Sequence, residues 1–489
     1  MPYEGNLNSL NARPLPQWYD DAKFGIFIHW GVWAIPGFAP HLGNISDAFK
    51  KEYHRGVAMT PYTEWYANAI KVPGTPSADF HAREFGNRPY RDFKEPFEEG
   101  LRQWDPDQWA EAFRNSGAKY VVLVTKHHDG YCLWPSAVDN PHEKNWTSER
   151  DIVGELARAV RAQGLRFGVY YSGGIDWTFN REPLRTLGDF IGSMPGGDYP
   201  AYAMAQTREL IERYEPSVLW NDISWPTGFD ELLDLFADYY NAVPEGVVND
   251  RWVHAGFFQK LMRYKLSRRV FDYLAMRHIR KHPEATQGVI PQPIPHSDFR
   301  TPEYARFHKI QKKKWEATRG MSHSFGFNRN DTEADYSSAE SLLSDFIDGV
   351  SKGGNLLLNV GPRGTDARIP EEQLSRLKFF GEWLSVNGAA VYGTHPWRPN
   401  GTDCSDMVTD ADMPVRFTAR GDDICIIPLG RPAGTTLRLR GVNLAGTAKL
   451  IADGSPVGLR QEGADLVLEF GQPRPATFAP AGVVTLALV

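Results

Sequence analysis

The chain has 489 residues, of which 42% are hydrophobic, 23% are charged and 13% are aromatic, and its formal net charge is -6. This length exceeds what one small core uses and favours two or three domains, one of which can be a large α/β barrel. The negative net charge leaves no global basic field for nucleic acid or an anionic membrane, and the aromatic content suits either sugar stacking or a large aromatic core.

The amino-terminal stretch MPYEGNLNSL lacks both the basic region and the apolar region of a secretory signal. No later apolar run approaches the about 20 residues of a membrane-spanning helix. We therefore expect a cytoplasmic protein without a membrane partner. The three cysteines, Cys132, Cys404 and Cys425, show no short-spaced metal or redox pattern, so a disulfide framework is not expected.

Short apolar runs alternate with helical patterns from about residue 20 to residue 390. The predicted strands are FGIFIHWG, KYVVLVTKHHDG, LRFGVYYSGG, SVLWND, EGVVND, HSDFRTPEY, MSHSFGFN and NLLLNVGP. The predicted helices include DPDQWAEAFRNSGA with Asp105 at its cap, DIVGELARAVRAQG, AYAMAQTRELIERY, FDELLDLFADYYNAV, SAESLLSDFIDGVSKGG and EEQLSRLKFFGEWLSVNG. This alternation predicts an α/β fold, a (β/α)8-type barrel, with a doubly wound open sheet as the alternative.

The pattern changes after about residue 395 to short alternating segments separated by Gly, Pro and Asp turns. These segments predict an all-β sandwich. We expect a catalytic domain over residues 1–395 and a C-terminal β-sandwich domain over 396–489. Because Trp397 is its only tryptophan, we expect the sandwich to pack on the barrel, and sugar binding by it remains the alternative.

A basic segment at about residues 252–297 fits neither pattern and predicts a helical insertion. It carries eight Lys or Arg against two acids, and the basic residues are Lys260, Arg263, Lys265, Arg268, Arg269, Arg277, Arg280 and Lys281. A solvated face packed on the barrel rim or on a second subunit is favoured over nucleic-acid contact, because the whole chain is acidic. Whether the insertion is a lid over the barrel mouth or a subunit contact stays open.

Polar or aromatic residues follow each of the first five predicted strands. They are His29 and Trp30; Lys126, His127, His128 and Asp129; Tyr170 and Tyr171; Asn221 and Asp222; and Asn249, Asp250 and Arg251. Loops that follow the strands of a barrel form one rim, so these side chains are expected to converge. Together with aromatic walls from Trp30, Trp65 and Phe325, they predict a pocket suited to a polyhydroxylated ligand.

Each member of this set has an alternative interpretation. A lone histidine at a strand end is often structural, and His127 with His128 could bind zinc. Adjacent strand residues point to opposite sides, so both rings reach one ion only if the strand has already ended. Asp222 could also cap a helix or pair with Arg251.

Several motifs carry a family resemblance. They are WYDDAKFGIFIHWGVWAIPGF, TKHHDGYCLWPS, GVYYSGGIDW, VLWND, NDRW and KGGNLLLNVGP. In this order they closely resemble the α-L-fucosidases of glycoside hydrolase family 29, over most of the first 390 residues. The resemblance implies a retaining glycosidase with Asp222 as its nucleophile.

A retaining glycosidase needs a second carboxyl group as general acid/base. The resemblance points to Glu303 in HSDFRTPEY for this role, with Glu64 and Glu316 as rival carboxylates. It also implies a set of substrate-binding residues, namely His29, Glu64, Trp65, His127, His128, Tyr170, Arg251 and Phe325. No metal and no other cofactor is expected.

We therefore predict an exo-acting α-L-fucosidase that hydrolyses terminal fucosyl residues of oligosaccharides or glycosides. Two alternatives come from other classes: a metal-dependent barrel hydrolase using His127, His128 and Asp222, and a non-catalytic sugar-binding protein. The expected partner is a fucosylated substrate. The sequence leaves the oligomeric state open, with a homo-oligomer as one option.

Overall fold

A parallel sheet of seven strands lies at the centre of the larger part of the molecule, in the order β5-β4-β3-β2-β1-β7-β6. The computed structural model describes residues 2–43, 45–281, 288–398, 407, 409, 412–430, 434–470 and 484–488. The strands are β1 (Phe24–Ile28), β2 (Tyr120–Lys126), β3 (Arg166–Ser172), β4 (Val218–Asp222), β5 (Val247–Val248), β6 (Trp315–Arg319) and β7 (Gly354–Val360). Every residue of β1, β2 and β7 is buried, as expected for parallel strands covered on both faces. This is the predicted (β/α)8-type barrel.

Residues 298–303 fill the gap between β5 and β6. The amide of Asp298 donates to the carbonyl of Val248 at 2.9 Å, and the amide of Thr318 donates to the carbonyl of Pro302 at 2.9 Å. Since Pro302 has no N–H to donate, the segment forms isolated bridges rather than a regular strand. The predicted sixth strand, HSDFRTPEY, therefore lies at its expected place without regular strand geometry.

The predicted seventh strand was wrong. The strand at this place in the barrel is β6, which comes earlier in the chain. The predicted segment MSHSFGFN is an irregular loop. This loop forms hydrogen bonds with Thr63 and Glu64. Ser324 Oγ accepts from the amide of Thr63 at 3.1 Å, and the amide of Gly326 donates to Glu64 Oε2 at 3.0 Å. The sequence of β6, WEATR, has two charged residues and one Thr among five, so it gives no apolar run to detect.

The six predicted helices are present. They are α7 (Pro106–Asn115), α8 (Ile152–Ala162), α10 (Tyr199–Tyr214), α11 (Phe229–Ala242), α14 (Ala339–Ser351) and α15 (Glu371–Asn387). The other described helices are α1 (Leu7–Asn11), α2 (Gln17–Ala22), α3 (Ile45–Lys51), α4 (Tyr66–Ala69), α5 (Pro76–Phe85), α6 (Lys94–Gly100), α9 (Leu187–Ile191), α12 (Phe257–Met262) and α13 (Lys265–Lys281). The carboxylate of Asp105 accepts from two amides of the first turn of α7, so the predicted cap is confirmed.

In the chain, the helices α12 and α13 lie between β5 and the segment 298–303. Polar contacts hold α13 against α9. The carboxylate of Asp272 accepts hydrogen bonds from Thr186 Oγ1 at 2.8 Å and from the amide of Gly188 at 2.7 Å. Arg268 and Asp189 form an ion pair at 3.2 Å. The opposite face of α13 is exposed to solvent.

An antiparallel sheet of eight strands forms the C-terminal part, in the order β11-β14-β13-β12-β15-β10-β9-β8. The strands are β8 (His395–Pro396), β9 (Val415–Arg420), β10 (Asp423–Pro428), β11 (Thr436–Leu439), β12 (Gly446–Leu450), β13 (Pro456–Glu462), β14 (Asp465–Phe470) and β15 (Val484–Leu488). Apolar residues from strands near both ends of the sheet, such as Phe417 and Leu439, share one core. This is the predicted all-β sandwich.

A buried ionic cluster joins the sandwich to the barrel. Arg416 of β9 donates to Asp348 of α14 at 2.5 Å, and Lys352 donates to the same carboxylate at 2.7 Å. Trp397 packs against Phe417 with ring centroids 5.4 Å apart. The contact between Arg416 and Asp348 agrees with a packing role for the sandwich, whereas Trp397 packs within the sandwich itself.

Cys132 and Cys425 are both buried, and Cys404 lies outside the described residues. Within the described ranges, no helix combines the length and the apolar character that crossing a membrane requires.

Candidate active site

A cavity of about 440 Å³ lies at the carboxyl ends of the barrel strands. Its wall contains all ten catalytic and substrate-binding residues that the family resemblance implies: His29, Glu64, Trp65, His127, His128, Tyr170, Asp222, Arg251, Glu303 and Phe325. They come from separate strand ends and loops along the chain. The convergence follows from the parallel barrel, in which all strands end at one rim.

The chain turns sharply directly after Asp222, the last residue of β4. Ile223 and Ser224 both have positive φ, at 54° and 79°, which is unfavourable for a β-branched residue such as Ile. The turn passes so close to Gly174 that an added Cβ there would lie 1.5 Å from the carbonyl oxygen of Ile223. Asn221 stabilises the turn by donating to the carbonyl of Ser224 at 2.9 Å. This hydrogen bond and the close packing keep the strained turn in place, and Asp222 lies at the strand end with its side chain in the cavity wall.

Arg251 joins the two predicted catalytic carboxylates. Its Nη1 donates to Asp222 Oδ1 at 3.0 Å, and its Nη2 donates to Glu303 Oε2 at 2.8 Å. Burial alone lowers the pKa of Arg251, but the carboxylates of Glu303 and Asp222 outweigh burial and leave that pKa raised. A permanently charged, planar guanidinium thus fixes the position of one carboxylate relative to the other.

A tyrosine hydroxyl contacts the second oxygen of each carboxylate. Tyr170 donates to Asp222 Oδ2 at 2.8 Å, and Tyr62 donates to Glu303 Oε1 at 3.3 Å. Burial and the neighbouring carboxylates raise both tyrosine pKa values well above the ordinary value, so both hydroxyls stay protonated donors. Sequence reasoning missed Tyr62, although it lies in the motif PYTEWY two residues before the predicted Glu64.

Glu64 is a buried carboxyl group in the cavity wall. Burial raises its pKa to about 7, and the negative charge of Glu303 adds to this effect, while hydrogen bonds such as that from the Gly326 amide act in the opposite direction. Glu64 is 2% exposed. It therefore changes its protonation state near neutral pH, inside a site that it shares with two other carboxyl groups.

The hydrogen bonds of His29 assign its tautomer. Its Nδ1 lies 2.6 Å from Asn359 Oδ1. The amide nitrogen of Asn359 donates to the carbonyl of Phe325 at 2.5 Å, so Oδ1 must be the acceptor and His29 Nδ1 carries the proton. Burial lowers the pKa of His29 to about 3, which leaves the ring neutral and its Nε2 an acceptor.

The same reasoning applies to His128. Its Nδ1 lies 2.7 Å from Ser172 Oγ, and Ser172 uses its single proton to donate to the carbonyl of Ile175 at 2.6 Å. His128 Nδ1 is therefore the donor. Burial lowers the pKa of His128 to about 4, and burial lowers the pKa of His127 as well. The cavity wall thus contains neutral imidazoles that offer acceptor nitrogens.

One prediction about the wall was wrong. Trp30 does not line the cavity; it is buried on the other side of the strand end, against Trp104 and Trp109. Adjacent residues alternate in direction, and it is His29 that contacts the cavity. Phe325 does form a wall, and its ring stacks on that of His29 with centroids 4.8 Å apart.

Glu316 is one of the two rival carboxylates for the acid/base role, and its position does not support that role. Glu316 lies in the barrel interior, near the amino-terminal end of β6, and is not part of the cavity wall. It accepts hydrogen bonds from Tyr19 at 2.8 Å, from Tyr120, and from Trp220 Nε1 at 3.3 Å. Burial raises its pKa to about 7. Glu316 therefore stabilises the barrel interior and does not reach the cavity.

The geometry gives little support to a metal at His127, His128 and Asp222. Among the described residues, one group of three potential ligands has its ligand atoms within 4.8 Å of one another, and it consists of His41, Asp331 and Asp335. That group does not line the cavity. The arrangement instead suits hydrogen bonding to a polyhydroxylated ligand.

A barrel with paired carboxylates, neutral imidazoles and aromatic walls at one cavity defines the class of the protein as a glycoside hydrolase. A family model described as alpha-L-fucosidase matches residues 1–389. The chain therefore belongs to the alpha-L-fucosidase family, and the predicted resemblance is confirmed.

Relatives and solved structures agree with this assignment. The chain is 32% identical to the alpha-L-fucosidase of Dictyostelium discoideum over 418 residues, which covers 81% of this chain and 75% of the relative. It is 30% identical to the tissue alpha-L-fucosidase of Homo sapiens over 465 residues, 92% of this chain and 83% of the relative. The chain also resembles a crystal structure of Thermotoga maritima alpha-fucosidase in complex with a mechanism-based inhibitor, with a TM-score of 0.81 and 38% sequence identity. The match covers 99% of this chain and 100% of the Thermotoga chain.

Proposed function

We propose that the protein is an exo-acting, retaining α-L-fucosidase with Asp222 as nucleophile and Glu303 as general acid/base. The observation that supports this best is the arrangement of one guanidinium, that of Arg251, between these two carboxylates. A double displacement needs two carboxyl groups in a fixed relation across the scissile bond. All proposed functional residues lie within residues 1–395, the proposed catalytic domain.

In the first step, an oxygen of Asp222 attacks the anomeric carbon while the bond from that carbon to the leaving oxygen breaks. Glu303 gives its proton to the leaving oxygen, and a covalent fucosyl-enzyme ester forms. In the second step, Glu303 removes a proton from water, the water oxygen attacks the anomeric carbon, and Asp222 is released. Each step inverts the anomeric centre, so the product keeps the substrate's configuration.

Solvent access favours Glu303 over Glu64 as the acid/base. The group must protonate the leaving oxygen and then activate a water molecule, so it must be reachable from the open part of the cavity. Glu303 is partly exposed, whereas Glu64 is buried. The raised pKa of Glu64 suits a group that exchanges hydrogen bonds with a sugar hydroxyl.

The remaining wall residues recognise the sugar. Nε2 of His29 and of His128 accept hydrogen bonds from sugar hydroxyls, and His127 and Glu64 extend this polar surface. The rings of Trp65 and Phe325 contact the apolar C5 methyl group of a 6-deoxy sugar. A Thermotoga maritima alpha-fucosidase 37% identical to this chain has been solved in complex with fucose, which supports this choice of sugar.

Apolar contact with a methyl group discriminates only modestly against a hydroxymethyl group, by a few kcal/mol at most. We therefore propose slow hydrolysis of the matching α-L-galactoside as a side reaction. The chemistry above uses no metal or other cofactor. A cytoplasmic location remains a prediction.

The test is the release of 4-nitrophenol and fucose from 4-nitrophenyl α-L-fucoside in the presence of EDTA. The proposal predicts turnover that EDTA does not change, and loss of turnover in the Asp222→Asn variant. Turnover that EDTA abolishes would support the metal-dependent hydrolase. Fucose that binds without any turnover of fucosides by the wild type would support the sugar-binding protein.

A further inference from the structure

A half-exposed apolar rim surrounds the open side of the cavity. Its residues are Leu187, Phe190, Ile223, Ala275, Ile279 and Val289. The polar residues proposed for sugar recognition are instead buried at the strand ends. The cavity therefore has a polar inner end and a mostly apolar outer part, in which His278 is polar.

The inserted helix α13 supplies one side of this rim. Ala275, His278 and Ile279 line the cavity, and their spacing of three and four residues places them on one face of the helix. The contacts of Asp272 with Thr186 and the Gly188 amide hold this face in place. The helix thus belongs to the cavity wall, although sequence analysis left open whether the insertion covers the mouth.

Val289, a residue of the apolar rim, pairs with the backbone of the proposed acid/base, Glu303. The amide of Val289 donates to the carbonyl of Glu303 at 2.9 Å, and the amide of Glu303 donates to the carbonyl of Val289 at 2.8 Å. Residues that exchange both hydrogen bonds in an antiparallel pair lie directly opposite, with side chains on the same side. An added Cβ at the preceding Gly288 would lie 2.6 Å from the Glu303 carbonyl oxygen, so this backbone approaches Glu303 closely.

We propose that α13 and Val289 form the binding site for the leaving group and select fucosides with an apolar aglycone, alkyl or aryl. This rests on the proposed function, because the acid must contact the leaving oxygen and so defines where the aglycone lies. The aglycone then extends from Glu303 past Val289 toward Ile279. Burial of an alkyl chain there improves binding by up to about fourfold per buried methylene.

The test measures kcat/KM for methyl, butyl, hexyl and octyl α-L-fucosides. The longer alcohols are leaving groups of nearly equal acidity, so differences among them report aglycone binding rather than chemistry. We expect kcat/KM to rise at least tenfold from the methyl to the hexyl fucoside, through a lower KM. The Ile279→Asn and Val289→Asn variants should lose most of this rise, while Ile279→Leu should keep it.

Val270→Asn is the matched control, because Val270 is on the exposed face of α13 and is 55% exposed. It should keep the chain-length dependence, and thermal melts should show that all variants fold. A wild-type kcat/KM that stays flat with chain length, or a fucosyl disaccharide cleaved better than the hexyl fucoside, would overturn the proposal. Failure of the proposed function is a different result, namely no fucose from any fucoside, including the methyl and 4-nitrophenyl compounds.

Discussion

The hydroxyl of Tyr170 donates a 2.8 Å hydrogen bond to Asp222 Oδ2 across two neighbouring strands. The register of the sheet sets this contact, since β3 and β4 pair in parallel with Tyr170 opposite Trp220 and Ser172 opposite Asp222. Arg251 contacts the other oxygen of Asp222. The orientation of the proposed nucleophile therefore depends on a side chain of the neighbouring strand β3 and on Arg251, which follows β5.

Replacement of Tyr170 by Phe should lower kcat/KM about 10-fold to 100-fold, because a hydrogen bond to a charged group contributes about 1.5–3 kcal/mol. Tyr171→Phe is the matched control: Tyr171 faces the other side of the strand and donates to Gln206 at 3.0 Å. Steady-state kinetics on 4-nitrophenyl α-L-fucoside measures both. Equal losses in the two variants would show that the effect is on folding and not on Asp222.

Two carboxyl variants should respond differently to the leaving group. Loss of the general acid slows departure of a poor leaving group most, since an activated phenolate leaves with little protonation. Glu303→Gln should therefore impair hydrolysis of methyl α-L-fucoside at least tenfold more than that of 4-nitrophenyl α-L-fucoside. Glu64→Gln should impair both to a similar degree. The reverse pattern would assign the acid/base role to Glu64.

Replacement of Arg251 by Lys should lower kcat by about 100-fold. A lysine ammonium is a single charged centre and does not reproduce the planar fork that contacts Asp222 and Glu303 together. Arg300→Lys serves as control, because Arg300 pairs with Asp250 at 3.9 Å and neither residue lines the cavity. An Arg251→Lys enzyme with wild-type kcat would contradict the bridging role.

Glu316 should make stability depend on pH. Its pKa is raised from 4.5 to about 7 in the folded chain, so between these values the folded protein holds a proton that the unfolded chain has released. Tighter binding of this proton in the folded state adds to the free energy of unfolding. That contribution is fully present below pH 4.5 and is lost as the pH rises through about 7. Relative to Glu316→Gln, the wild type should lose about 3 kcal/mol of unfolding free energy between pH 4.5 and pH 8.

Denaturant unfolding of both proteins at the two pH values measures this difference, and the shifts of Glu64 and the histidines cancel because both proteins share them. A difference that does not change with pH would mean that Glu316 is ionised in the folded state.

The sequence predicted the barrel and part of the cavity wall because both depend on local patterns, whereas Glu64 and Glu303 were implied by the family resemblance. Apolar runs mark the strands, and the polar residue that follows each run must lie at the common rim. His29 and Asp222 illustrate this, since each was found from its position at a strand end. Trp30 was misplaced because the direction of a side chain at a strand end depends on the backbone and not on residue type.

Other features depend on contacts between distant parts of the chain. β6 has too few apolar residues to be recognised, and it forms because β7 and the segment 298–303 hydrogen-bond to its two edges. The contacts of Arg251 with both carboxylates join residues 29 and 52 positions apart in the chain. The contribution of α13 to the cavity depends likewise on its docking on α9, which no periodicity in the sequence indicates.

The most direct test of the two-carboxylate account is the configuration of the first product, followed by proton NMR from the earliest minutes of hydrolysis of 4-nitrophenyl α-L-fucoside. The account predicts that α-L-fucose appears first and then mutarotates. If β-L-fucose appears first, a water molecule attacks in a single displacement, and Asp222 is not the nucleophile.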